Sequence, residues 1–408
     1  MIIAAAIPVF FLFIFIEAAA VRGFGARGRY RFADAVTDLG CGVTDQVGGA
    51  FFKTAKAFAY LWLYANARIW EPPTWAAWLI ALVGVDFGYY WWHRASHRVN
   101  FIWATHVVHH QSPDYNLAVA LRQAVFAGLT SWPFYLWMAV LGVHPLIFGG
   151  AAAINLLYQF FIHTEVVDKL PGPIEYVFNT PSHHRVHHGV NARYVDKNYG
   201  GILILFDRWF GTFELETEPV TYGTISPYGS WNPLWANLAW WVHLGRVAAQ
   251  APRWQDKLWI WFAPPEYEPP GVPAAPKPTD AELRARPVYA VDSPRWWGYI
   301  AAQWVPITAA TVTVLLLEEG GVDGRIVALA AFALSGLVAH AGLLEGKSWA
   351  APVEGFRLVA TSAVAGVAVQ AGWVDGSLAA AIVAGSVASM LALGWLARGA
   401  QGAPTATA

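Results

Sequence analysis

Long apolar segments dominate this chain, and they restrict it to a protein that lies in a membrane. The hydrocarbon core of a bilayer is about 30 Å thick, so a helix needs roughly 20 apolar residues to cross it. Charged residues are only 13% of the sequence, too few to cover a water-soluble protein of 408 residues. We therefore predict an all-α, polytopic integral membrane protein. The nine predicted spans are residues 2–20, 47–66, 74–92, 123–141, 145–163, 297–317, 325–344, 353–372 and 376–397.

Basic residues after the first span predict the orientation of the chain. Loops rich in Lys and Arg lie on the cytoplasmic side of a membrane. The four residues that carry this signal are Arg22, Arg27, Arg29 and Arg31. The N-terminus is then outside, and the charged segment 164–295 is cytoplasmic. The expected location is the inner membrane of a bacterium or the endoplasmic reticulum of a eukaryote.

A proline-rich segment predicts how the chain is divided. Residues 264–287 contain so many prolines that they cannot continue a helix. We predict a membrane unit over residues 1–263 that contains most of the histidines, and a cytoplasmic linker over residues 264–295. A four-span bundle over residues 296–408 follows, rich in the small residues that allow close helix packing in lipid.

Histidines are concentrated in one part of the sequence, where 11 of the 13 lie between residues 93 and 188. Spacings of three and four residues place side chains on one face of a helix. Three motifs have this spacing: HRASH with His93 and His97, HVVHH with His106, His109 and His110, and HHRVHHG with His183, His184, His187 and His188. His163 ends a predicted span, and the predicted topology brings all four segments to the cytoplasmic side.

These ten histidines are our candidate metal ligands. Neutral imidazole binds iron, copper, zinc and nickel, and so many rings exceed what one ion can hold, so we predict two metal ions. For His163 the alternative is an interfacial residue, and for His183 it is a hydrogen-bond donor that orients its neighbours. The sequence has one cysteine and no HExxH motif, which argues against structural zinc and zincin chemistry. A pair of irons that activates O2 beside the bilayer, acting on a lipid, fits the ligands and their location.

The segments GYYWWHRASH, WATHVVHH, NTPSHHRVHHG and DKNYGGILILFDRWFGTFE resemble the fatty acid hydroxylase / sterol desaturase superfamily of membrane di-iron oxygenases. Within it, residues 88–223 look like the branch that cleaves glyceryl ethers. The resemblance implies O2-dependent hydroxylation beside the ether oxygen and breakdown to a fatty aldehyde and a glycerol. It also implies that the motif histidines hold two irons, and that His163 matches an additional helix histidine of the superfamily.

The electron donor and the acidic residues near the histidines are less defined. The animal enzymes have a glutamate, associated with tetrahydrobiopterin, where this chain has Arg98. The donor is therefore left open between a tetrahydropterin and a separate redox protein, because the sequence has no haem, dinucleotide or iron–sulfur motif.

Glu165 and Asp168 are candidates for steering protons or orienting a ligand histidine, with solvated anchors as the alternative. Six polar residues are candidates for headgroup binding, ligand support or capping: Asn116, Arg122, Asn179, Asp196, Lys197 and Asn198.

Two alternative functions remain open on the sequence. The same superfamily includes sterol C-5 desaturases and hydroxylases of sterols and fatty acyl chains, and motifs do not distinguish these outcomes. A metal transporter needs ionisable residues along a path through the spans. Few are present, among them Glu17, Asp86 and Glu354, and the histidines gather on one side only. The net charge of −1 gives no reason to expect a nucleic-acid partner.

Overall fold

A computed structural model describes residues 2–226, 229–274, 276–285 and 292–398. Within these ranges the regular structure is helical, and β pairing is limited to one isolated bridge between Phe178 and Leu203. The predicted linker includes residues 275 and 286–291, and the predicted bundle includes residues 399–408, all of which lie outside the described residues. The prediction of an all-α fold is confirmed for the described part of the chain.

The first half of the chain contains the histidines and is built mostly from short helices. They are α1 (Ile2–Phe24), α2 (Phe32–Ala50), α3 (Lys53–Asn66), α4 (Thr74–Arg98), α5 (Asn100–Trp103), α6 (Val107–His110), α7 (Ala127–Ser131), α8 (Leu136–Val140), α9 (Pro145–Ile162), α10 (Gly172–Val177), α11 (Pro181–His187) and α12 (Leu205–Phe210). Two 3₁₀ turns cover Val119–Leu121 and Trp132–Tyr135.

The second half of the chain ends in four long helices. Its elements are α13 (Pro233–Gln250), α14 (Trp254–Trp259), α15 (Asp280–Ala285), α16 (Trp297–Leu317), α17 (Gly324–Leu344), α18 (Ala350–Gln370) and α19 (Gly376–Arg398). Two further 3₁₀ turns, Pro294–Trp296 and Glu318–Gly320, flank α16. Helices α16 to α19 pack in sequence against one another, as the predicted four-span bundle requires.

Six described helices are long and apolar enough to cross a membrane, by length and composition. Their candidate spans are Ala5–Phe24, Pro145–Ile162, Pro294–Gly320, Gly324–Leu344, Ala350–Gln370 and Gly376–Arg398. The chain is an integral membrane protein, but the predicted count of nine spans is not confirmed. The predicted span 74–92 lies inside α4, which is not one of the six.

Two predicted spans are not single helices, and one of them packs against α4. Residues 47–66 are divided between α2 and α3, and residues 123–141 are broken into α7, a 3₁₀ turn and α8. This second segment packs on glycines of α4: a Cβ atom on Gly84 would lie 2.7 Å from Met138 Sδ, and one on Gly88 would lie 2.8 Å from Tyr135. Met138 and Tyr135 therefore face protein, and composition alone cannot distinguish such a position from one that faces lipid.

Helix α2 connects the C-terminal bundle to the part of the chain that contains the histidines. On one side it packs against α16 and α17, where Val43 and Val47 share a buried cluster with Ile307 and Leu337. On another side it contacts the 3₁₀ turn Val119–Leu121. A Cβ atom on Gly42 would lie 2.7 Å from the Leu121 carbonyl oxygen, so this close approach requires glycine.

Candidate metal centre

Helix ends deliver the histidines to one interior region. His93 and His97 occupy the last turns of α4, His109 and His110 lie in α6, and His106 precedes it. His163 follows α9, and His188 follows α11, which contains His184 and His187. Because the motif spacings match the helical repeat, the rings of each motif project toward the same region. Eight of these nine side chains are buried, and His97 is nearly so.

The nine rings form two groups, each small enough to hold one metal ion. In each group, one ligand atom from every ring lies within 4.8 Å of all the others. The first group is His93, His97, His106, His110 and His187, and the second is His109, His163, His184 and His188. Both groups combine residues from motifs far apart in sequence, so the predicted convergence of the motifs is present in the fold. Their role as metal ligands stays a prediction.

Backbone carbonyl groups determine which ring nitrogen faces inward. A carbonyl oxygen can only accept, so an Nδ1 atom bonded to one carries the proton, and Nε2 of that neutral ring has the lone pair. This orientation is the one expected for histidines that bind metal through Nε2. The four Nδ1···O distances are His93 to Tyr199 2.8 Å, His187 to Lys197 2.9 Å, His109 to Arg122 3.2 Å and His163 to Gln159 2.6 Å.

The contact between His109 and His163 tests whether the site fits a metal ion. Both rings use Nδ1 as donor, yet their Nε2 atoms lie 3.1 Å apart. Burial lowers the pKa of His163 to about 3, and burial and the adjacent His163 ring lower the pKa of His109 well below 6.5. Neither ring therefore carries a second proton at neutral pH. Two facing lone pairs repel unless they share a cation, so this donor set fits a bound metal ion.

His183 lies outside both groups. Its Nε2 atom is 3.0 Å from Glu175 Oε2, and its ring packs edge-on against Phe213. Successive residues on a helix point in directions about 100° apart, so His183 cannot share the face of His184 and its partners. Burial would raise the pKa of Glu175, but the contact with His183 and other hydrogen bonds lower it to about 2. The charged Glu175 carboxylate of α10 therefore contacts His183 of α11 and holds the two helices together.

The two acids that follow His163 also lie away from the rings. Asp168 is 74% exposed and pairs with Arg27 at 2.8 Å, which matches the alternative of a solvated anchor. Glu165 accepts a hydrogen bond from Tyr222 at 3.0 Å. The Tyr222 ring stacks on Tyr115, whose ring centroid is 5.2 Å from that of His188. Glu165 therefore reaches the histidines through two aromatic rings, and the catalytic roles of both acids stay predictions.

A buried charge network beside the second group includes two acids that the sequence analysis missed. Arg122 has no exposed surface, donates to the Val108 carbonyl at 2.7 Å and pairs with Asp38 at 2.9 Å. Asp34 lies 3.9 Å from the same guanidinium and accepts from Ser112 at 2.6 Å. The available signal was two acids four residues apart, Asp34 and Asp38, in the first half of an apolar helical segment. Through Arg122, the network connects Asp38 of α2 to the backbone of the HVVHH motif at Val108.

Replacing Asp34 with asparagine should stabilise the protein in alkaline solution. Burial and the nearby Asp38 carboxylate raise the pKa of Asp34 above its ordinary value. A raised carboxyl pKa means that the folded state binds a proton that the unfolded state releases, so stability falls as pH rises above about 4. Asp34→Asn removes this penalty and keeps an acceptor for Ser112. Thermal unfolding in detergent should show a difference that grows from about pH 5 to pH 8; a constant difference would contradict this account.

Two buried groups of histidines in a helical membrane protein define a class, the histidine-rich membrane proteins, and comparison with known proteins specifies it. The fatty acid hydroxylase family model matches residues 78–212. Human alkylglycerol monooxygenase is 47% identical over 208 residues, which cover 50% of this chain and 46% of that protein. The zebrafish (Danio rerio) enzyme is 36% identical over 334 residues, which cover 80% of this chain and 74% of that protein. This chain belongs to the alkylglycerol monooxygenase family.

The same comparisons indicate how far this similarity extends. The ornithine lipid hydroxylase OlsE of Rhizobium tropici is 27% identical over 195 residues, or 45% of this chain and 56% of that protein. The chain spans about half the length of the human and Xenopus tropicalis relatives that it matches. No solved structure gave a significant match. Iron is the metal that the family implies, and the all-imidazole groups fit it.

Proposed function

We propose that this protein is a membrane di-iron, O2-dependent monooxygenase that hydroxylates a glyceryl ether lipid beside the ether oxygen. The product breaks down to a fatty aldehyde and a glycerol. One observation carries the proposal: nine histidines form two compact groups, and the opposed Nε2 atoms of His109 and His163 fit a shared cation. When bound, the two irons would supply O2 activation and the oxidation of a C–H bond. The names of the family members support a lipid substrate.

The chain itself would orient the ligands and keep water away from them. The first group would hold one iron and the second group the other, each through side chains fixed by backbone carbonyls. Tyr115 covers the second group, with its ring stacked 5.7 Å from that of His163. Its hydroxyl donates to the Ile162 carbonyl at 3.1 Å and so cannot turn toward the rings without losing this bond. A dry, rigid site of this kind suits oxidative chemistry.

An apolar cavity of 230 Å³ would receive the alkyl chain of the lipid. It lies between α1, α2, α9 and α16, three of which are candidate spans, and its lining is mainly apolar, with Asp45, Gln46 and Gln123 among the polar members. Phe160 lines it one helical turn before His163. Leu121 also lines it and precedes Arg122, whose carbonyl group orients His109. The cavity therefore adjoins the second group from the membrane side.

Filling this cavity should reduce activity on long alkyl chains more than on short ones. Thr308 on α16 lines the cavity, and Thr308→Phe would occupy space that a long chain needs. We expect about a ten-fold loss for octadecyl glycerol and little loss for octyl glycerol. Thr313→Phe, at an exposed position on the same helix, is the matched control. Equal losses on both substrates, measured as aldehyde release, would show that the alkyl chain binds elsewhere.

The active site is proposed to face the cytoplasm and to receive electrons from a separate donor. The arginine-rich segment after α1 contacts the site region, since Arg31 pairs with Asp114 at 2.5 Å and Arg27 with Asp168. By the positive-inside rule, this flank is cytoplasmic. The donor is a tetrahydropterin or a redox protein. The division into a catalytic unit, a linker and a C-terminal bundle, and any spans beyond the six candidates, belong to the same proposal.

Lipid mass spectrometry tests the proposed reaction. Membranes that contain the wild type, His187→Ala or the exposed-site control His243→Ala would receive alkylglycerols, sterols, O2 and several reductants. We expect loss of ether lipid and formation of fatty aldehyde with the wild type and the control only. A desaturated sterol instead would support the sterol desaturase alternative. No product from iron-loaded protein supplied with electrons would contradict an oxygenase function.

A further inference from the structure

The segment Asp196–Tyr199 lies against three histidines of the first group. The Lys197 carbonyl accepts from His187 Nδ1 at 2.9 Å, and the Tyr199 carbonyl accepts from His93 Nδ1 at 2.8 Å. Asp196 Oδ1 lies 3.6 Å from His97 Nδ1. The second group takes its carbonyl partners from other parts of the chain, at Gln159 and Arg122. The segment is therefore positioned to orient the first group selectively.

The backbone of this segment has an unusual shape. Asp196 has a φ of 61° and Asn198 a φ of 56°, and they are the positive-φ residues other than glycine in the described part of the chain. Such left-handed conformations are unfavourable for most side chains, although Asn and Asp adopt them more readily than others. In this short segment the alternate carbonyl groups of Lys197 and Tyr199 point toward two different histidines.

Asn198 fixes this shape from inside the protein. Its side chain is fully buried, and Nδ2 donates to the carbonyl groups of His183 at 3.0 Å and Glu214 at 2.8 Å. Its Oδ1 atom accepts from the Glu214 amide at 2.8 Å. The next amide, of Tyr199, donates to Asp207 at 2.7 Å. These bonds fix the backbone around Asn198, and with it the carbonyl groups of Lys197 and Tyr199. None of these bonds involves a histidine ring of the first group.

Asp196 is fixed from the outer side. Arg98 donates to its Oδ2 atom at 2.5 Å, and the same guanidinium pairs with Glu266 at 2.9 Å. Arg98 thus holds a carboxylate beside His97. Within the described residues, the candidate ligands of the second group have no comparable carboxylate partner. A carboxylate beside the outer nitrogen of a ligand histidine orients the ring and strengthens its metal bond.

We propose that Asn198 and Asp196 are positioning residues for the first metal-binding group. Asn198 fixes the carbonyl groups that orient His93 and His187, and Asp196 orients His97. The inference rests on the proposed function only in requiring that the two groups hold metal ions. It predicts that changes in this segment weaken metal binding at the first group and leave the second group unchanged.

Metal binding by the full-length purified protein tests the inference. Asn198→Asp keeps the size of the side chain and tolerates positive φ. It replaces the Nδ2 donor with an oxygen atom that faces the His183 and Glu214 carbonyl groups. We expect affinity for one of two Fe(II) ions to fall about 10–100-fold, with the other unchanged. Mössbauer spectra of the protein loaded with ⁵⁷Fe should then lose one component and keep the other. Asp196→Asn, at a partly exposed side chain that does not threaten folding, should weaken the same ion.

A surface variant serves as the control, and the outcomes separate the two proposals. Glu71→Gln removes an ion pair with Arg68 at an exposed site and should leave both metal ions and both spectral components unchanged. Folded variants that keep both ions at wild-type affinity, or lose both equally, would overturn the positioning roles while leaving the proposed function intact. A wild type that binds no iron would overturn both proposals together.

Discussion

Replacing His163 with alanine should remove one metal ion and reduce turnover more than about 100-fold. His163 is central to the second group: its Nε2 atom lies 3.1 Å from that of His109 and 3.0 Å from that of His184. Loss of this ring leaves three histidines for the second ion and opens a gap beside Tyr115. Iron per chain and fatty aldehyde release, measured on the same preparation, check both parts of the prediction.

His183→Ala is the matched control for this experiment. His183 is buried next to His184 but contacts Glu175 instead of either metal-binding group. The control should keep both metal ions and most of the activity, with a lower thermal stability because Glu175 loses its partner. If His183→Ala lost a metal ion while His163→Ala kept both, the assignment of ligands would be wrong.

Arg122→Ala should destabilise the protein by about 3–5 kcal/mol, the usual cost of removing one partner from a buried ion pair. The substitution leaves the Asp38 carboxylate buried without its partner and leaves the Val108 carbonyl without a donor. The lost side-chain bonds would let the backbone at position 122 move, and with it the carbonyl group that orients His109, so iron at the second group should be lost as well. Denaturant unfolding in detergent gives the free energy, and metal analysis gives the iron content.

Two comparisons show whether charge pairing is the cause of this loss. Arg122→Lys keeps the charge but cannot reproduce the forked set of donors, so its stability should lie between those of the wild type and the alanine variant. Asp34→Asn removes charge from the same network and should not destabilise the protein, because Arg122 still pairs with Asp38. Equal destabilisation by Arg122→Ala and Asp34→Asn would indicate that packing, not charge, holds this region.

Helical periodicity accounts for what could be predicted about the site. Spacings of three and four residues correctly predicted that the motif histidines would meet, since these spacings put rings on one helix face. The same periodicity, applied strictly, would have separated His183 from His184. The division into five and four rings was out of reach, because His106 and His109 come from one motif but join different groups. That division depends on tertiary packing between α4, α6, α9 and α11.

Composition predicted the class of fold but not the number of spans. An apolar helix can face lipid or protein, and the sequence does not say which. Residues 123–141 read as a span, yet they cover the glycine face of α4. The Arg122 network was similarly hidden, since Asp38 and Arg122 are 84 residues apart. An ion pair between residues so far apart in sequence leaves no signal in the local residue pattern.

The position of α2 has a consequence for the order in which the protein matures. This helix is made early, but the partners of its buried Val43 and Val47 are Ile307 and Leu337, which leave the ribosome more than 250 residues later. The same helix carries Asp38, which holds Arg122 and thereby the carbonyl group that orients His109. The packing that holds α2 in place therefore cannot be complete until Leu337 has been synthesised. The proposed iron loading of the second group would then follow the synthesis of α17.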